Sequence, residues 1–340
     1  EELSSNNTDN FNTDNLTFFV PEYVILLNND KLEIQTYHSI ESCNEFVKAF
    51  NFSDFSNYKP QVNFSRREDK KSYLNKIEKI KNHIQIGDIY EMNYCQEFYA
   101  SDVKIDAESV FLELNKRMQT PFSSFLKLKN QYILSASPER FLRKKGTYIL
   151  SQPIKGTRKR GKTKLEDSSL INELKTSQKD VSENVMITDL VRNDLSITAK
   201  KESVKVEELC KVYTFRKVHQ MITSISSEID AGINFSDVLK AAFPMGSMTG
   251  APKLRAMELI EHFEDFKRGV FSGAVGYITP QADFDFNVVI RTILYNLATD
   301  YLSIGVGGAI TIKSDAMQEY EECLIKAKPL FDVFNFKIDD

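Results

Sequence analysis

The sequence predicts one large α+β domain built on an antiparallel or mixed sheet. Three observations lead there. Strand-like and helix-like stretches are interleaved in long sections, and neither an internal repeat nor a low-complexity linker divides them. The 340 residues, 41% hydrophobic and 11% aromatic, suffice for a large core. Length by itself would also allow two domains.

Residues 1–15 are polar and read as a frayed start. The stretch TFFVPEYVILLNNDKLEIQTY reads as strands turning at Asn-Asn-Asp, from its β-branched content and turn chemistry. From Glu68 to Gln85 the apolar Tyr73, Leu74, Ile77, Ile80 and Ile84 recur at helical spacing, and Gly87 ends that amphipathic helix. Residues 124–137, SFLKLKNQYILSAS, form a hairpin with Lys-Asn at its turn, delivering Ser137-Pro138-Glu139-Arg140 to a strand end. Residues 166–194 and 236–266 are helical, the second interrupted by a Gly/Pro loop; 271–312 is strand-rich and 314–334 is a closing helix.

Composition excludes several classes. The formal net charge of -4 gives no long-range attraction to nucleic acid. Cys43, Cys95, Cys210 and Cys323 lie far apart with no paired spacing, which fits reduced thiols in a cytoplasm rather than a zinc site or disulfide framework. No apolar run approaches the roughly 20 residues that span a bilayer, and EELSSNNTDN is no signal peptide.

Several stretches carry candidate chemistry. In SQPIKGTRKRGK (151–162), either the cations form a basic patch for phosphates or Lys155 is a reactive amine placed by its neighbours. Glu139 at a hairpin end makes a candidate acid/base partner for it. Asp180 and Glu183 are three apart on one helix face, and Glu319 and Glu322 repeat the spacing, with Lys326 four residues further. Two readings stand: acidic faces meeting across a cleft as an oxygen site suited to Mg²⁺, or solvated faces with local ion pairs.

FPMGSMTGAPKLRAMELI offers backbone N–H groups to an anion where a helix starts near Pro252, but it lacks the ending of a phosphate loop. The glycines of IGVGGAI mark either a bulge or a place where a ligand nears the backbone. Arg291 is a charge in an apolar strand and needs a carboxylate, from the protein or from a ligand. His219, among apolar neighbours, reads as a satisfied core residue more readily than as a catalyst.

Taken in order over about residues 65–332, these segments resemble the chorismate-utilising enzymes. The strings are GDIYEMN, SASPERF, PIKGT, SENVMITDLVRNDLS, VHQMITSI, FPMGSMTGAPKLRAMELIE, RGVFSGAVGY, VVIRTI and GGAI…EYEECLIKA. The resemblance implies two large, mostly antiparallel sheets packed as a sandwich with helices outside, as in anthranilate synthases, and chorismate and Mg²⁺ bound between them. Residues 1–64 would be a strand-rich part of that fold and 65–340 the chorismate-binding catalytic domain.

Within the family, Pro-Ile-Lys-Gly-Thr is the form of members that aminate chorismate at C4 for 4-aminobenzoate and folate synthesis; anthranilate-forming members read Pro-Ile-Ala-Gly-Thr. The resemblance thus makes Lys155 a nucleophile at C2 of chorismate and Glu139 the acid for the departing C4 hydroxyl. Glu183 and Glu322 become direct Mg²⁺ ligands, with Asp180 and Glu319 acting through water. Arg291 becomes the clamp on the enolpyruvyl carboxylate, and the N–H groups of Gly307, Gly308 and Ala309 a carboxylate-binding turn. Ser247 and His219 would line the ring, Lys326 is the lysine after the second acidic pair, and Arg158 to Lys164 are read as a solvated loop.

Phe271 stands where relatives often place a substrate-binding tyrosine, and Ala309 replaces a glycine but keeps its N–H. The segment that builds a tryptophan pocket in many relatives is absent. Without a Cys/His glutaminase signature, ammonia is expected from a separate glutamine amidotransferase subunit. The alternatives are an anthranilate or isochorismate/salicylate synthase and, from another class, a noncatalytic chorismate-binding scaffold.

Overall fold

A computed structural model of the chain describes residues 3–49, 58 and 60–338. By its contacts the chain divides into two units, Asp14–Tyr58 and the remainder, Glu1–Thr13 with Lys59–Asp340. The smaller holds an antiparallel hairpin, β1 (Tyr23–Asn28) and β2 (Lys31–Thr36), turning at Asn29-Asp30 as its turn residues predict. Its helix α1 (Ile40–Lys48) starts where the Ser39 side chain accepts from the Ser42 N–H.

The larger unit runs through β3 (Ser65–Arg66), α2 (Lys70–Gln85), β4 (Glu91–Ala100), α3 (Ala107–Met118), β5 (Phe122–Leu128), β6 (Gln131–Ser137), β7 (Arg140–Lys145), β8 (Tyr148–Gln152) and β9 (Ile154–Lys159). It continues through α4 (Lys164–Thr176), α5 (Gln178–Ser196), β10 (Lys205–Thr214), β11 (Val218–Glu228), α6 (Phe235–Ala242), β12 (Gly250–Ala251) and α7 (Lys253–Phe263). The strands β13 (Ala274–Ile278), β14 (Phe284–Val288), β15 (Thr292–Asn296) and β16 (Tyr301–Ile310) precede α8 (Ala316–Phe331). The helical stretch expected over 166–194 is two helices, because Ser177 ends α4 and its side chain caps α5 through the Asp180 N–H.

The strands make two seven-stranded antiparallel sheets. One is ordered β12-β4-β16-β15-β6-β5 with β3 beside β4; the other is β10-β11-β8-β7-β14-β13 with β9 beside β11. One apolar cluster draws on both: Cys95, Ile133 and Leu294 from the first, Phe141, Ile149, Ile225 and Phe284 from the second, and Ile187 and Val191 from α5. Burying that shared face is what holds the sheets together. The N-terminus is not frayed throughout: Phe11 is buried in this cluster, and its carbonyl accepts from Gln131 and Asn296. One buried aromatic ring outweighs the polar composition around it.

The chain crosses between the sheets twice where it matters here. Ser137 to Arg140 leads from β6 to β7, and Val289 to Arg291 leads back from β14 to β15. The crossings are tied together by the Ala136 N–H on the Arg291 carbonyl, 3.1 Å, and the Thr292 hydroxyl on Ser135, 2.9 Å. Among the described residues no helix is long and apolar enough to cross a membrane.

Candidate active site

Lys155 lies on a bulge. In the β9–β11 ladder Ile154 faces Ile222 and Thr157 faces Gln220, so Lys155 and Gly156 share the place opposite Met221. The extra residue turns the strand and re-aims its side chain. Gly156 makes this possible: its φ is +85°, and a Cβ there would meet Leu174 at 2.8 Å and the Asp180 carboxylate at 2.9 Å. Burial alone would depress the Lys155 ammonium, but Glu91, Glu183, Glu139 and Glu322 outweigh it and hold its pKa above the ordinary lysine value.

Glu139, on the first crossing, is 5% exposed. Its carboxylate accepts from the Ile154 N–H and the Ser247 hydroxyl, which seats it against the residue preceding Lys155. Burial pushes its pKa up to about 7, against the pull of Ser247 and Lys155. Ser247 is placed in turn by Asn93, whose side-chain amide donates to the Ser247 carbonyl at 2.5 Å.

Sequence reasoning assigned no role to Glu91. It is 1% exposed, its Oε2 has no hydrogen-bond partner, and burial raises its pKa while Lys155 restrains the rise. By strand alternation it shares a face of β4 with Asn93 and Cys95, towards the apolar cluster. The signal available was a carboxylate at the head of a β-rich stretch, and GDIYEMN shows it.

Three of the four acids, Glu183, Glu319 and Glu322, come together around a lysine. Lys179 Nζ donates to Glu319 at 2.8 Å and lies 3.8 Å from Glu322 and 4.0 Å from Glu183. Lys179 is the second residue missed, though it precedes Glu183 by four positions on the same helix face. Glu183 Oε1 is buried without a hydrogen bond, and burial pushes the Glu183 pKa up to about 7 despite Lys155 and Lys179. Glu322 goes the other way: burial would raise it, but Lys326, at 2.7 Å, and then Lys179 and Lys155 hold it down at about 2. Asp180 does not join the set, because Arg158 Nη2 takes its Oδ2 at 2.9 Å. Among the described residues no group of three or more His, Cys, Asp or Glu is arranged to hold a metal ion. A cation does suit the place, as the ammonium between three carboxylates and the unpartnered Glu183 oxygen attest.

Arg291 sits on the second crossing with φ 54°, a strained value for a branched-off side chain without glycine's freedom. Its Nη1 donates to the Lys326 carbonyl at 2.8 Å, no carboxylate among the described residues pairs with it, and burial depresses its pKa to about 10. Gly307, Gly308 and Ala309 form no turn. They lie in the continuous strand β16 opposite Cys95, Tyr94 and Asn93, and β15 leaves β16 after Ser303, so one edge of this segment has no strand partner among the described residues. A Cβ on Gly307 would collide with Cys95 Sγ and the Tyr94 carbonyl, whereas one on Gly308 would sit at ordinary contact distance from Glu319, Lys326 and Glu322; Lys326 Nζ donates to the Gly307 carbonyl at 2.7 Å. The glycines thus mark close approach rather than a bulge. Phe271 is buried with its ring against Gly305.

His219 is fully buried, with Nε2 on Asp167 at 2.8 Å and Nδ1 on the Thr214 hydroxyl at 2.9 Å. Both ring nitrogens are in use within the protein. The stretch after Lys155 is not simply a solvated loop. Arg158 pairs with Glu173 and Asp180, and Arg160 with Asp167 at 2.7 Å, strapping β9 to α4 and α5, while Lys159 and Lys162 are exposed.

A two-sheet sandwich with a lysine, a neutral-leaning carboxyl and a carboxylate cradle between its layers has known counterparts. The sequence pattern of the chorismate binding enzyme family matches residues 2–332, and the chain belongs to that family. It is 38% identical over 275 residues to aminodeoxychorismate synthase component 1 of Escherichia coli (strain K12), covering 79% of this chain and 60% of that one. With aminodeoxychorismate synthase of Streptomyces griseus it shares 40% over 266 residues, 78% of this chain and 36% of that one. The chain therefore spans less than two thirds of the length of these curated relatives. Anthranilate synthase component I from Streptococcus pneumoniae has the same fold, with a TM-score of 0.86 at 26% identity over 95% of this chain and 75% of that one.

Proposed function

We propose that this chain aminates chorismate at C4 to give 4-amino-4-deoxychorismate, the precursor of 4-aminobenzoate in folate synthesis, through an intermediate linked to Lys155. The observation that carries the reading is the setting of Lys155: a bulged lysine facing Glu139, which is bonded to the adjacent Ile154 and leans neutral near pH 7. The names of the relatives support it. In the reaction the Lys155 amine adds to C2 of chorismate while the C4–O bond breaks and the hydroxyl leaves as water with the Glu139 proton. Ammonia then adds at C4 and the Lys155 amine is expelled. Lys155 rests protonated, so a neighbour must first accept its proton; Glu91, with one oxygen unpartnered, is the candidate.

Arg291 offers its free guanidinium N–H groups to the enolpyruvyl carboxylate, and the open edge of β16 over Gly307, Gly308 and Ala309 offers alternate backbone N–H groups to a carboxylate. Ser247 lines the ring and keeps Glu139 seated. Glu183 and Glu322 would hold Mg²⁺ with Glu319 behind them, and the bound ion would neutralise the ring carboxylate of chorismate. Asp180 stays with Arg158. "Component 1" in the name of the Escherichia coli relative supports a partner, which we take to be a glutamine amidotransferase supplying ammonia. The four free cysteines fit a cytoplasmic setting.

The test is the protein with chorismate, Mg²⁺ and ammonium salt at raised pH, products separated by mass and retention. 4-Amino-4-deoxychorismate is expected, and glutamine should serve only when the partner is added. Anthranilate or isochorismate as the product would overturn the reading in favour of those activities; chorismate binding without turnover would favour a scaffold.

A further inference from the structure

Three carboxylates, Glu183 of α5 and Glu319 and Glu322 of α8, face one another beside β16, and the protein supplies its own cation to them. Lys179 Nζ is bonded to Glu319 at 2.8 Å and stands 3.8 Å from Glu322 and 4.0 Å from Glu183. Glu319 is 2% exposed on its side chain and Glu183 10%, so without a cation their mutual repulsion would be poorly screened. Lys326 pairs with Glu322 at 2.7 Å, yet the two ammonium groups do not satisfy all three carboxylates. Glu183 Oε1 stays buried and without a hydrogen bond, and that oxygen points to a further positive ligand. Gly308 keeps the space beside Glu319 and Glu322 open, since a Cβ there would come within 3.4 Å of the first and 3.8 Å of the second. The lysine is also the one member able to leave. It lies in the first turn of α5, its side chain is 40% exposed, and its four-carbon stem can carry the charge into water.

We infer that Lys179 is the resident counter-cation of the carboxylate site and a positioning residue for it: it holds Glu183, Glu319 and Glu322 together in the metal-free protein, and a divalent ion must displace it to bind. Monovalent ions gain nothing over the tethered ammonium, whereas a doubly charged ion does, so the lysine also sets the charge that the site selects. The inference rests on the proposed metal site.

The experiment is calorimetric titration of the full chain with Mg²⁺, and with Mn²⁺ as a paramagnetic probe, for the wild type, Lys179→Met and Lys179→Arg. Lys179→Met should bind about tenfold more tightly, since the competing half-exposed ion pairs are gone, and Lys179→Arg should stay near the wild type. In EDTA, Lys179→Met should melt below the wild type, and Mg²⁺ should raise its melting temperature by more. Equal or weaker metal binding by Lys179→Met, or unchanged melting in EDTA, would overturn the role of the lysine alone. A wild type and a Lys179→Met variant that both bind neither ion would overturn the metal site itself.

Discussion

Arg158 donates through Nη2 to Asp180 Oδ2 at 2.9 Å, and this pair ties the strand that carries Lys155 to the helix that carries Glu183. Two halves of the site are thereby set in register by a residue outside the chemistry. Arg158→Ala should cost about 1 kcal/mol of stability in a denaturant titration, because the pair is only partly shielded from water. Lys159→Ala and Lys162→Ala, both exposed, should change stability and rate little. Equal effects from all three would mean that the run is a featureless basic patch.

Lys155→Ala should lower turnover by about a thousandfold or more, since no solvent charge replaces a covalent step. With the amine gone, C2 is unoccupied, and residual product should shift from 4- to 2-substituted. Wild type incubated with chorismate but no ammonia should show an adduct on Lys155 by intact mass. Near-normal 4-amino-4-deoxychorismate from the variant would rule the covalent route out.

Glu139 has a folded pKa of about 7, above its ordinary value of 4.5, so the fold favours its neutral form. The sign follows: its contribution is fully present below about pH 4.5 and is lost as pH rises to about 7. Glu139→Gln removes the ionisation, so its stability relative to the wild type should improve between pH 4.5 and pH 8 by on the order of 1–3 kcal/mol. Chemical denaturation at the two pH values checks this; a difference that does not move with pH would contradict it. Activity should fall at both, because the leaving hydroxyl loses its acid.

Arg291 donates to the Lys326 backbone carbonyl, no carboxylate among the described residues pairs with it directly, and burial outweighs the more distant pull of Glu322. Arg291→Met should therefore fold with stability equal to or about 1 kcal/mol above the wild type, while the KM for chorismate rises about 10- to 100-fold. Lost stability with an unchanged KM would make Arg291 a structural residue.

Much of the architecture was legible in local sequence. The turn at Lys129-Asn130, where Lys129 has φ 54°, follows from Lys-Asn between two β-rich runs, and α2 follows from the spacing of Tyr73, Ile77 and Ile80, all fully buried. The break at Ser177 was missed because helical periodicity continues on both sides of it, and only the cap shows where one helix stops. Phe11 was missed because a lone aromatic residue in a polar stretch has no period to detect.

The sequence by itself determined most of the elements and which side chains were candidates for the site. Lys-Gly-Thr in β9 and the paired acids of α5 and α8 are patterns whose spacing is short enough to read along the chain. Only the tertiary structure decided which charge meets which. Asp180 went to Arg158, Lys179 came between Glu183 and Glu319, and Glu91 was buried facing Lys155. The reason is that Coulomb energy depends on distance and on exclusion of water, and both are set here by two sheets and two crossings that bring together residues far apart in sequence.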